Sequence, residues 1–317
     1  MHAAVHHWAL VLAGGDGTRL QSLTREITGA PIPKQYCRLL GDRSLLQATL
    51  GRAARFVSWD RILVILNRDH LGVADEQLRA LAAGSILVQP CNRDTGPGLL
   101  FALGHLMQRD PDATVAVFPS DHYVGDDETF IARVSDAARL VAQWPQKVAM
   151  LGVHPDRPES GFGYITVGRP FAEGNAPHAA FQVDAFREKP NAKSAEQLAR
   201  EGALWNCFVM VFKVRHMIEL LGRVVPAECE QMLALHVPAS SMPAAYARLL
   251  PWNFSSRVLT RIAEHLVVLR VDGVYWSDCG TAEAVHRTLA ALHQSPPWVL
   301  LTKNRWAGDP PATSAVP

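Results

Sequence analysis

Disulfide pairing, a membrane span and a charge pattern suited to nucleic acid are all missing from this 317-residue sequence. Its five cysteines (Cys37, Cys91, Cys207, Cys229 and Cys279) are odd in number, scattered and free of CxxC spacing. That pattern argues against a disulfide frame or a cysteine zinc site and predicts reduced thiols in a cytoplasmic protein. No apolar run reaches the roughly 18 residues of a spanning helix. The opening MHAAVHHWALVLAGGDG also lacks the basic and apolar regions of a secretion signal. Basic and acidic side chains number 31 and 30, leaving a formal charge of +1. With no basic excess, nucleic acid is not expected as a partner, nor is a membrane. Any anionic ligand has to be met by locally placed Arg and Lys.

What is present is an ordinary globular balance, 48% hydrophobic and 19% charged residues. Short apolar runs at 8–13, 61–66, 85–89, 114–119 and 147–153 read as strands buried on both faces, because they do not alternate polar with apolar. Between them, 44–56, 71–83, 98–109 and 129–144 carry helical periodicity. Alternation of this kind predicts an α/β fold with a doubly wound, mostly parallel sheet, whose ligands bind beyond the carboxyl ends of the strands. From about residue 156 the texture changes. GFGYITVG and AFQVDAFREKP flank a Pro/Gly/Asn-rich stretch at 169–178, which predicts a hairpin or edge excursion. Further strands are expected at 205–212 and 265–271, and a loosely ordered Pro-rich tail at 296–317.

The first strand stops at LAGGDGTRL. Glycines 14, 15 and 17 let backbone N–H groups approach a phosphate without a Cβ in the way. Arg19 adds a planar guanidinium fork suited to phosphate oxygens. The spacing is neither GxGxxG nor GxxxxGK[ST]. A tight strand-to-helix turn would also need glycine, but Thr18-Arg19 and the downstream Lys34 favour phosphate binding.

With PKQY (33–36), QPCNRDTGPG (89–98), FPSDH (118–122), GFGYI (161–165), FREKP (186–190), WNCFV (205–209) and WSDCGT (276–281) following in order, the chain resembles the sugar-1-phosphate nucleotidyltransferases, specifically the mannose-1-phosphate guanylyltransferases. The resemblance runs from Trp8 to about Leu292. It implies a Rossmann-like nucleotidyltransferase fold with an inserted sugar-binding lobe. One domain over 1–295 is expected, its nucleotide-binding half up to about 155 and its sugar-phosphate half from about 156. It also implies Mg²⁺-dependent transfer of a nucleotidyl group from GTP to a hexose 1-phosphate, with mannose 1-phosphate first among acceptors. Such a reaction gathers negative charge, so positioning and neutralisation do most of the work.

By the same resemblance, Leu12, Ala13, Gly14, Gly15, Gly17, Thr18, Gln89 and Arg93 bind the nucleotide, and Arg19, Lys34 and Asp121 are catalytic. Asp121 and Asp278 would hold Mg²⁺, a hard ion that takes carboxylate, water and phosphate oxygens. Gly163, Glu188, Lys189 and Asn206 would bind the sugar phosphate, and His122 receives no role. On residue type alone, Asp121 reads equally well as a turn residue, Lys34 as a solvated lysine and Glu188-Lys189 as a solvated pair. A homo-oligomer is compatible with the sequence. The C-terminal isomerase domain of bifunctional relatives is not expected.

Four departures from the family pattern bear on substrate choice. Gln89-Pro90 stands where guanylyltransferases carry Glu-Pro, and an amide accepts guanine N–H groups less well than a carboxylate. RNTAP is Arg93-Asp94-Thr95-Gly96-Pro97 here, and NSGMF is Asn206-Cys207-Phe208-Val209-Met210, with Phe208 in place of glycine. SIDYAVMEK aligns with 253–261, its aspartate, glutamate and lysine falling on Ser255, Thr260 and Arg261. UTP or dTTP as donor, and a non-catalytic nucleotide-sugar sensor, remain open alternatives at this level.

Overall fold

The computed structural model describes residues 6–171, 180–233 and 242–298. Strand β1 (His7–Leu12) turns Ala9 and Val11 into one apolar cluster and Trp8 and Leu10 into another. Both faces of the strand are therefore buried, which is why its sequence shows no polar alternation. The same split recurs in β2 (Ile62–Asn67), where Val64 and Leu66 oppose Leu63 and Ile65.

A nine-stranded sheet also takes in β3 (Ile86–Gln89), β4 (Thr114–Pro119), β6 (Val148–Val153), β7 (Gly163–Pro170), β8 (Ala180–Glu188), β9 (Leu204–Lys213) and β10 (Leu266–Val271). Its order is β3-β2-β1-β4-β9-β6-β10-β8-β7. Strands β1 to β4 pair in parallel, as do β6 and β10. β9 runs antiparallel between β4 and β6, and β8 antiparallel to β10. The doubly wound α/β reading holds, with antiparallel strands added to a parallel frame.

Helices cover both faces. α2 (Leu45–Ala53), α3 (Leu71–Leu78), α5 (Asp127–Gln143) and α6 (Ala192–Arg200) pack on one side. α4 (Thr95–Arg109), α7 (Val214–Val224), α8 (Pro226–Leu233), α9 (Met242–Ala247) and α10 (Phe254–Arg257) pack on the other. A third cluster joins α1 (Gln21–Thr28) to α11 (Ala282–Ala291) through Leu20, Leu23, Val285 and Leu289. α4 begins at Thr95, three residues before the expected start. Asp94 caps it by accepting the Thr95 N–H, and Pro97 sits in the first turn, where no backbone donor is required.

The segments expected as an inserted lobe extend the same sheet. β7 and β8 form the expected hairpin, β8 lies on β10, and β7 also touches the start of β9. Most of the 169–178 connection and the tail beyond residue 298 lie outside the described residues. Among the described residues, no helix is long and apolar enough to cross a membrane. Finally, β5 (Tyr123–Val124) pairs antiparallel with β11 (Trp276–Ser277) in a separate two-stranded ribbon. Asp121 lies two residues before β5 and Asp278 directly follows β11, so this short ribbon brings the two aspartates together.

Candidate active site

A cleft of about 600 Å³ opens at the carboxyl ends of β1, β3 and β4. Leu12, Gly14, Gly15, Arg19, Gln89, Asp121, Gly163, Glu188, Lys189, Asn206 and Asp278, all singled out from the sequence, line it together. Ala13, Gly17, Thr18, Lys34 and Arg93 do not.

The glycine loop is braced from behind by the PKQY segment. Gln35 Nε2 donates to the carbonyls of Ala13 (3.1 Å) and Gly15 (2.6 Å), and the Tyr36 hydroxyl donates to Ala13 O (2.8 Å). Asn67 Nδ2 holds the Gly14 carbonyl at 2.7 Å. Three successive carbonyls are thus engaged by protein donors, which fixes the loop at the cleft wall. Gly17 has φ +59°, and a Cβ there would lie 2.9 Å from the Lys34 backbone nitrogen. Both the left-handed backbone and the close approach of the two segments require glycine.

Lys34 is buried and meets both aspartates. Its Nζ lies 3.3 Å from Asp121 Oδ2 and donates to the backbone carbonyl of Asp278. Arg19, largely exposed, places Nη2 4.0 Å from Asp278 Oδ2. Burial pushes the Asp121 carboxyl up, but the Lys34 ammonium and the neighbouring His122 outweigh it and hold the group below the usual carboxylate range. His122 sets Nε2 3.5 Å from Asp121 and packs edge-on against Trp276. Burial lowers its own basicity.

On the opposite side, Gly163 leaves room for Glu188, since a Cβ would fall 2.8 Å from its Oε2. Burial, only partly offset by Lys189 at 3.9 Å, raises the Glu188 carboxyl above its ordinary value. Asn206 is buried, and its Oδ1 accepts the Phe208 N–H at 2.9 Å.

At the far end Gln89 has both polar atoms in use. Oε1 accepts from the Tyr246 hydroxyl at 2.8 Å, and Nε2 donates to Asn67 Oδ1 at 2.5 Å. Arg93, expected on the nucleotide, instead donates to the carbonyl of Ala247, and its Nε has no hydrogen-bond partner among the described residues. Backbone strain collects around the cleft. Five described non-glycine residues have positive φ, and three of them, Asp94, Lys189 and Phe208, line it, while Cys279 adjoins Asp278. Each costs on the order of 1–3 kcal/mol, and such costs concentrate at functional sites.

The nucleotidyl transferase family model matches residues 8–295. This chain belongs to that family. It is 32% identical to mannose-1-phosphate guanylyltransferase 2 of Escherichia coli O157:H7, over 87% of this chain and 58% of that protein. It is 35% identical to the xanthan biosynthesis protein XanB of Xanthomonas campestris pv. campestris (strain B100), over 69% of this chain and 44% of that protein. The chain thus spans about half the length of these curated relatives. In structure it is similar to a mannose-1-phosphate geranyltransferase from Thermus thermophilus, with a TM-score of 0.78 and 31% identity, covering 92% of this chain and 81% of that one.

Within this nucleotidyl transferase the donor set at Asp121 and Asp278 fits Mg²⁺. No group of three or more His, Cys, Asp or Glu side chains able to hold a metal occurs among the described residues. Mg²⁺ needs no such cage, because it takes one or two carboxylates and completes its shell with water and substrate phosphates. Several cleft residues had no sequence signal of their own. Asp16 accepts from Asn67 Nδ2 (3.0 Å) and Asn92 Nδ2 (2.8 Å). Tyr246 reaches Gln89 from α9, and Trp276 packs edge-on against both His122 and Phe162. Only tertiary pairing brings these together. Ser255, where the family pattern has aspartate, is buried at the cleft wall, whereas Thr260 bonds back to the Ser256 carbonyl.

Proposed function

We propose that the chain catalyses transfer of a nucleotidyl group from GTP to a hexose 1-phosphate, mannose 1-phosphate first among them, releasing pyrophosphate. One observation carries this reading: buried Lys34 ties the Asp121 carboxylate to the backbone carbonyl of Asp278, beside a cleft that both aspartates line with Gly14, Gly15, Glu188 and Asn206. A cation fixed on one carboxylate and on the backbone of a second aspartate, beside a braced glycine loop, suits a reaction that brings two phosphorylated substrates together.

In the proposed reaction a phosphate oxygen of the sugar 1-phosphate attacks the α-phosphorus of the triphosphate. The new P–O bond forms as the bond to the β-phosphate breaks, and pyrophosphate leaves with the electron pair. The glycine loop seats the triphosphate, and Arg19 and Lys34 spread its charge. Glu188 and Asn206 orient the sugar hydroxyls, with Lys189 on the acceptor phosphate. Asp121 and Asp278 would hold Mg²⁺, which when bound neutralises phosphate charge. The second lone pair of Gln89 Oε1 is left to accept a base N–H. The names of the curated relatives support guanine and mannose. Five unpaired cysteines support a reducing compartment, and we place the reaction in the cytoplasm.

The test is purified protein with Mg²⁺, each nucleoside triphosphate and a panel of hexose 1-phosphates, read by pyrophosphate release. GTP with mannose 1-phosphate is the expected best pair. Turnover with UTP or dTTP instead overturns the guanine assignment. Binding with no release from any pair replaces the enzyme by a nucleotide-sugar sensor.

A further inference from the structure

Phe208 occupies a backbone conformation that phenylalanine rarely adopts. Its φ is +59°, in the left-handed region that favours glycine. It sits where β9 departs from regular pairing with β6. Met210 faces Met150 and Asn206 faces Gly152, so three β9 residues oppose Leu151 alone. A bulge of this kind re-aims a side chain. Cys207 and Val209 on either side are buried in one core cluster, while the Phe208 ring is half-buried and faces the cleft. Asn206 Oδ1 accepts the Phe208 N–H and Cys207 Sγ lies 3.1 Å from Leu151 O, so the bulge is held by specific bonds.

Behind the ring stands Phe254, fully buried, with centroids 6.2 Å apart at 79°. Phe254 is fixed in turn, its N–H donating to Thr95 Oγ1 at 3.0 Å. The Phe208 ring is therefore a backed, rigid, apolar surface on the side of the cleft that carries Gly163, Glu188 and Asn206. Glycine would relieve the backbone at this position, and the part of the ring that packs on the core leaves the rest open to the cleft. A ring that is costly to place and left half-exposed beside polar groups has its use in the cleft.

We propose that Phe208 is a specificity-determining residue of the acceptor side. Its ring packs against the C–H face of the pyranose while Glu188 and Asn206 hold the hydroxyl edge. The inference rests on the proposed sugar 1-phosphate reading and deepens it. A pyranose has an apolar face where axial hydrogens collect, and epimers differ in whether a hydroxyl interrupts that face. A hydroxyl turned onto the ring would lose its water without gaining a partner. The wall therefore discriminates between epimers and does so through acceptor affinity. The triphosphate, at the glycine loop, is untouched.

The experiment compares wild type with Phe208→Gly, which suits the backbone, and Phe208→Tyr, which keeps the ring. Each is measured for steady-state turnover and for calorimetric binding of a panel of hexose 1-phosphates. We expect Phe208→Gly to raise the acceptor KM and Kd about tenfold, equivalent to about 1.4 kcal/mol. The spread of kcat/KM across the panel should narrow, and the KM for the nucleoside triphosphate should stay within about twofold. Phe208→Tyr should keep the wild-type panel order. An acceptor KM and panel order unchanged in a folded Phe208→Gly protein overturn the inference alone, as does an equal rise in both substrate KM values. Wild type that neither binds nor turns over any sugar 1-phosphate overturns the functional reading and the inference with it.

Discussion

Replacing Lys34 with methionine removes the charge paired with the Asp121 carboxylate while keeping most of the side-chain volume. At 3.3 Å from Asp121, the pair attracts by about 5 kcal/mol at an effective dielectric near 20. Lys34 is 8% exposed and Asp121 31%. Water therefore screens one partner, and roughly 2–3 kcal/mol survives as a net cost, between the values for surface and fully buried pairs. For a domain of this size that is a fall of about 5 °C in Tm. Loss of one fixed cation from the reacting phosphates should lower kcat by about 10²–10³-fold. Lys34→Met combined with Asp121→Asn removes both charges. The double variant should regain most of the lost Tm and none of the lost rate. Differential scanning calorimetry and pyrophosphate release, run on the same four proteins, separate the two effects. A single variant as stable as wild type, or a double variant whose Tm loss is simply the sum of the two, would refute the coupled-charge account.

Two further outcomes follow from the same geometry. Gly17→Ala should lose stability by about 1–2 kcal/mol from the left-handed backbone alone and raise the triphosphate KM at least tenfold. Gly17→Asn tolerates that φ but still drives a Cβ against the Lys34 nitrogen, so wild-type behaviour in the Asn variant would show that contact to be unimportant. Burial raises the Glu188 carboxyl, with Lys189 offsetting and Asp94 adding to the shift. Its protonated form is therefore favoured in the fold, and that contribution to stability is lost as pH rises through the raised value. Glu188→Gln should melt higher than wild type near pH 8, show no gain near pH 4, and bind the sugar phosphate about tenfold more weakly. Equal melting of the two proteins near pH 8 would remove burial as the cause.

The frame was readable because the buried strands of a doubly wound sheet leave a direct mark, an apolar run such as Trp8–Ala13 without alternation. The cleft lining was readable where residues lie within their own motif, as at Gly14, Asp121 and Asp278. β9 gave a strand signal but no sign of direction, because running against β4 and β6 is a matter of non-local pairing. Arg93 failed for a related reason. Its guanidinium was captured by a carbonyl of α9, far along the chain, which no local pattern records. On residue type alone Lys34 read equally well as a solvated lysine, because its burial depends on the ribbon that carries Asp278. Phe208 was visible only as an unusual residue, and the positive φ that gives it meaning belongs to the bulge.

The β5–β11 ribbon has a consequence for the order of events during synthesis. Asp121 is in place once β4 and β5 have formed, but Asp278 reaches it only when Trp276 and Ser277 pair with Tyr123 and Val124. All nine strands of the large sheet are translated before that point. A ribosome-bound chain stalled ahead of Trp276 holds the glycine loop and Asp121 with nothing to complete the carboxylate pair. In the proposed reaction the carboxylate pair is therefore completed last, with two residues of strand.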